Sequence, residues 1–77
     1  MHLEIKHGDA TIISVPLSWA RSQKALKADV VKAVNDGYAA NRDVSILVSH
    51  DDTDLLHAWN PPVEIADLVV AYYRRAT

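Results

Sequence analysis

At 77 residues, with no cysteine and only two glycines and three prolines, the chain is bounded to one small domain spanning 1–77, held by neither disulfides nor thiolate metal sites. An apolar share of 49% separates it from disordered sequences, and a net charge of −2 lacks the positive excess usual in nucleic-acid-binding domains. That small figure conceals a sorted distribution: Leu17 to Val34 sets Arg21, Lys24, Lys27 and Lys32 against Asp29 alone, whereas Asn35 to Asp67 sets Asp36, Asp43, Asp51, Asp52, Asp54, Glu64 and Asp67 against Arg42 alone.

From His2 to Val15 the apolar residues recur mostly at intervals of two, broken at Gly8-Asp9, which predicts two short strands joined by a tight turn. The phase changes between Ile12 and Ile13, which points to a bulge in the second strand. After Pro16, the residues Trp19, Leu26, Val30, Ala33 and Val34 fall on one side of a helical wheel and the four cations on the other. The predicted helix runs from about 18 to 35, with Ser18 as N-cap and Gly37 as the residue past its C-terminus.

Asp43 to Ser49 is rich in β-branched residues and too short for a helix, so it reads as a mostly buried strand pairing with the hairpin. Asp51, Asp52 and Thr53 then offer N-caps for a short helix through Leu55, Leu56 and Trp59, stopped by Asn60-Pro61-Pro62. A last helix, 62–75, starts with proline in its first turn and carries Ile65, Leu68, Val69, Tyr72 and Tyr73 at helical spacing. Val63, Ala66 and Val70 widen its apolar arc past half the circumference, so it should be buried on two sides, within the fold or at an interface. The expected fold is a small α+β domain of order β-β-α-β-α-α: a three-stranded, mainly antiparallel sheet with helices on one face.

No apolar run approaches the ~20 residues of a membrane span, and no basic segment leads into one near the N-terminus, so no membrane is expected and a cytoplasmic location is. Ser49-His50-Asp51 has the residue types of a hydrolase triad, but neighbours on an extended chain point in opposite directions, and triads are assembled in space. His50, Asp52, Asp54 and His57 hold ligand types for a divalent ion at a spacing that fits no familiar site. A calcium loop begun at Asp52 would need Gly and Glu where His57 and Val63 stand. No catalytic residue, metal or cofactor is therefore expected. Trp19 and Trp59 are expected in the core, and Tyr38, within a polar stretch, as an exposed contact residue.

Leu3 to Lys27, with apolar alternation up to Val15-Pro16 and then a helix, resembles the swapped-hairpin antitoxin and transition-state regulators. The likeness covers a third of the chain, and Lys27-Ala28-Asp29 lacks the Gly-Asp usual there. It implies a small dimeric DNA-binding regulator that uses the basic helix. The residues themselves favour a non-enzymatic protein-binding module, alone or as a homodimer, acting as an inhibitor or adaptor on a larger bacterial assembly such as a nucleic-acid-processing complex. Small counter-defence proteins of phages and mobile elements, anti-CRISPR proteins among them, are similar in size and in lacking motifs. The expected contact residues are Arg21, Lys24, Lys27, Lys32 and Tyr38, with Asp51, Asp52 and Asp54 as the acidic counterpart.

Overall fold

The computed structural model describes residues 1–19 and 22–76. Strand β1 (His2–His7) turns back into β2 (Ala10–Pro16), and a 3-10 turn at Leu17–Trp19 leads towards helix α1 (Gln23–Ala39). Strands β3 (Val44–His50) and β4 (Thr53–Trp59) and helix α2 (Ile65–Ala76) complete the order β-β-α-β-β-α. The four strands form one antiparallel sheet in the order β2-β1-β3-β4.

The expected α+β class and antiparallel sheet hold, and the number of strands does not. Residues 53–59 form a strand where a helix was expected, because a single turn or two of helix is marginal by itself while a strand here has β3 to pair with. Leu56 and Ala58 turn towards the core and His57 and Trp59 away from it, a period of two that the extra residue Leu55, at a bulge opposite Val48 and Ser49, obscures. His50 pairs with Thr53, so Asp51 and Asp52 are a hairpin loop and cap no helix; Asp51 takes φ +53°. The other hairpin loop is built alike, with Gly8 at φ +58° between the paired His7 and Ala10.

A left-handed aspartate pays a steric cost that glycine does not. Asp51→Gly is therefore expected to raise stability by about 0.5 kcal/mol, a few degrees in the thermal midpoint. A drop would show that the carboxylate itself holds the turn.

Helix α1 begins later than its sequence pattern suggests. Ser18 and Trp19 belong to the 3-10 turn, and Ser22 caps the helix by accepting a hydrogen bond from the Ala25 N–H at 3.0 Å, worth about 1 kcal/mol. The helix also runs through Gly37, which is buried against Val44 and His7 and has no positive φ. The left-handed residue that ends it is Asn41, at φ +55°. Helix α2 starts at Ile65, since the Ile65, Ala66 and Asp67 N–H groups donate three residues back and make Pro62 to Glu64 a tighter lead-in.

Leu3 and Ile5 of β1, Val44, Ile46 and Val48 of β3, Leu26, Val30 and Val34 of α1 and Val69 of α2 meet in one core on one side of the sheet. The wide apolar arc of α2 is accounted for within the fold: Ile65, Ala66, Val69 and Val70 are buried, whereas Leu68, on the expected stripe, is 52% exposed. Lys27 on α1 pairs with Asp67 on α2 at 2.9 Å, and the Arg74 guanidinium donates to Gln23 at 3.0 Å, tying the two helices along their outer seam. Among the described residues, no helix is long and apolar enough to cross a membrane.

Candidate functional site

Strand β2 lies at the margin of the layers. Ile13 and Val15 pair with Ile5 and Leu3, so they point to the helix side of the sheet, yet they are only partly buried while Ile5 and Leu3 are fully so. The register slips by one between Ile5/Ile13 and Lys6/Thr11, leaving Ile12 as the extra residue of a bulge. The bulge turns Ile12 and Ile13 to the same side, which explains the phase change in the sequence.

The space between β2 and α1 is a cleft of about 310 Å³, floored by Leu3, Ile13, Val15 and Leu17 and walled by Leu26 and Val30. Trp19 stands at its rim, 73% exposed. A recess of about 170 Å³ continues it, sharing Ile13 and Asp29 and adding Ile12, Lys32, Ala33 and Asp36. Ile12 is 48% exposed. The seam is apolar along its floor, and Asp29 is the one ionisable residue that both parts share; it makes no ion pair among the described residues.

The two sheet edges differ. On β4 the edge carries Asp54 and His57, is bulged at Leu55, and has the Leu55 carbonyl accepting a hydrogen bond from the Tyr72 hydroxyl at 3.0 Å. Charge, bulge and a covering side chain are the usual ways to keep an edge from pairing with another chain. Strand β2 has no charged residue from Ala10 to Pro16, although a bulge at Ile12 and a terminal proline guard it in part and leave Ile13 to Val15 as its regular stretch.

The expected contact residues are scattered by the fold. Arg21 lies outside the described residues. Lys24 is exposed and makes no ion pair among the described residues, but Lys27 is paired with Asp67 on α2 and Lys32 with Asp36 one turn on, at 2.5 Å. The Asp36 hydrogen bond and charge raise the Lys32 pKa against the small opposing effect of burial. Both pairs are open to solvent, where such contacts are weak and partners exchange readily.

Tyr38 is 39% exposed, and its hydroxyl donates to the Pro61 carbonyl, fastening the end of α1 to the loop after β4. Burial raises its pKa above that of a free phenol, so the covered hydroxyl governs the group while the ring edge meets water. Tyr38 is thus a partly exposed fastening.

Asp51, Asp52 and Asp54 gather at the tip and flank of the β3–β4 hairpin, all exposed. Among the described residues, their ionic contact is between Asp51 and His50 at 3.7 Å. Ser49 and His50 sit on opposite faces of β3, so the hydrolase triad is not assembled, and among the described residues no group of three or more ligating side chains converges on a metal position. Both tryptophans, expected in the core, are on the surface: Trp19 at the cleft and Trp59 on the opposite, open face of the sheet beside Ser45.

The chain matches no protein-family model, no curated protein and no solved structure. The features that bear on function are therefore the chain's own, the seam and the hairpin. The seam went unread in the sequence, although two signals of it are present: the Ile12–Ile13 phase change, and a tryptophan lodged between Pro16 and the helix cap. Neither shows by itself that β2 is an edge.

Proposed function

We propose that this chain is a non-enzymatic protein-binding module that acts as an inhibitor or adaptor on a larger bacterial assembly. The observation that carries this reading is the α1–β2 seam, where Ile12 and Trp19 stand open to solvent and Ile13 and Val15 are only partly covered, although these are residue types that ordinarily close a core. Burying apolar surface contributes about 25 cal/mol per Å², and Trp is prominent among the residues whose truncation weakens interfaces most. The chemistry of the lining points the same way, since acid–base or nucleophilic catalysis needs a second group placed beside the first and the larger cleft offers Asp29 alone.

The acidic hairpin supplies the second contact. Asp51, Asp52 and Asp54 project from the sheet with no Lys or Arg paired to them among the described residues, which suits them to steer the module onto a basic surface. A phosphate-gripping face of a nucleic-acid-processing complex has that character, and a cytoplasmic counter-defence protein of the anti-CRISPR kind would use it. Duplex DNA binding through α1 is the weaker reading, because Lys27 and Lys32 already face Asp67 and Asp36.

Immobilised wild-type protein is expected to retain a discrete set of proteins from a bacterial extract. Ile12→Lys combined with Trp19→Ala, or Asp52→Lys combined with Asp54→Lys, should each remove members of that set. Retention of the same set by both variants, or of nothing by the wild type, overturns the reading.

A further inference from the structure

We propose that the open face of the sheet, along its β4 margin, docks an arginine-rich segment of the partner protein. The inference rests on the protein-binding reading and names a contact apart from the seam, with the chemistry it takes. Both helices pack on the side of Leu3, Ile5, Val44, Ile46 and Val48, so among the described residues no element covers the other face. Cross-strand pairing lays out that face in rows: Asp54, Ser49 and His2, then His57, Leu47 and Glu4, then Trp59, Ser45 and Lys6.

Trp59 ends β4 and is 63% exposed. Its cross-strand neighbour is Ser45, too small to cover an indole, and β4 is an edge with no strand beyond it. Among the described residues no cation of the chain lies over the ring. Back along the same face come His57 and, past the bulge, Asp54, about 15 Å from Trp59 by strand rise. Asp51 and Asp52 carry the negative charge on to the hairpin tip. Lys6, the cation of these rows, stands two strands in and pairs with Glu4 at 3.8 Å, so the β4 margin keeps its negative charge uncompensated.

Indole and carboxylate on one face select arginine. Its planar guanidinium stacks on an aromatic ring and meets a carboxylate through two parallel N–H donors, and a lysine ammonium does both less well. In an extended segment, arginines four residues apart share a side and stand about 13 Å apart, close to the Asp54–Trp59 spacing. His57, between them, adds an acceptor nitrogen while neutral. Nucleic-acid bases also stack on exposed sheet aromatics, but the phosphates that come with them would meet Asp51, Asp52 and Asp54. Docking on the face leaves the β4 edge itself unpaired, as its bulge and the Tyr72 hydrogen bond to Leu55 require.

Fluorescence anisotropy of labelled nona-arginine, beside labelled nona-lysine and a labelled oligouridylate, tests this on the whole chain. The wild type should bind nona-arginine more tightly than nona-lysine and leave oligouridylate unbound. Trp59→Ala, at an exposed ring, should keep the circular dichroism and weaken nona-arginine by about threefold to fivefold, which brings it level with nona-lysine. Asp54→Lys should weaken both peptides by on the order of tenfold, whereas Asp67→Lys, the same change of charge on the helix side, should have a much smaller effect. An arginine preference that survives Trp59→Ala, equal weakening by Asp54→Lys and Asp67→Lys, or tighter binding of oligouridylate than of nona-arginine overturns the proposal. The extract experiment keeps the two failures apart. A wild type that retains its set of proteins but fails here loses the β4 face and keeps the module reading, and one that retains nothing loses the module reading whatever the peptides do.

Discussion

Gly37→Ala is expected to lower the thermal midpoint by about 10 °C, a net loss of about 1–3 kcal/mol, although alanine is the better helix former. In an open helix the substitution gains about 0.5–1 kcal/mol. Here the new methyl would run into a Val44 methyl and come within 2.9 and 3.0 Å of the His7 ring. Neither neighbour can yield cheaply. Val44 is fully buried at the start of β3, and the His7 ring is held in place because its Nε2 hydrogen-bonds the Ala33 carbonyl at 2.7 Å. Gly37 is therefore a point of close contact between α1 and the sheet. Gly37→Asn separates this account from a left-handed helix end, where asparagine is well tolerated and alanine is not. At a crowded contact the larger asparagine must cost more than alanine, and equilibrium denaturation of both variants checks the order.

The same glycine shows how far the sequence could be read. A Gly shortly after an amphipathic run is a sound stop signal, and one such residue was needed, but Asn41 serves as the left-handed end and Gly37 was selected by contact with residues far off in the chain. Local signals succeeded where local physics decides. The β1–β2 hairpin, its bulge and the burial of β3 follow from period-two patterning and one permissive glycine. They failed at 51–59, where Asp-Asp-Thr suits a cap and a turn equally well and the bulge at Leu55 hides the alternation. The choice there was made by β3, which needed a partner on its outer side.

The candidate contact residues were legible in composition and illegible in pairing. That α1 carries a basic face is plain from the sequence, but that Asp67 and Asp36 approach Lys27 and Lys32 depends on where α2 lies and on a side-chain rotamer. The seam was the hardest to foresee, because whether Ile13 and Val15 are core or surface depends on whether a third element covers β2.

Ile46→Ala is expected to cost about 2–5 kcal/mol, the range for truncating a fully buried isoleucine without collapse of the site. Ile46 has no exposed surface and occupies the middle of β3, flanked by Ile5 on β1 and Ala58 on β4, so strands on both sides hold the cavity open. A domain of this length has on the order of 4–12 kcal/mol in total, and each kcal/mol moves the midpoint by about 4–8 °C. The variant should therefore melt at least about 10 °C lower and be partly unfolded at moderate temperature. Leu68→Ala is the informative contrast, because it removes a side chain of the same size from the stripe that helical spacing marks as core. Its exposure predicts a loss within about 0.5 kcal/mol. Equal losses at the two positions would mean that α2 is rotated in solution, with Leu68 turned inward.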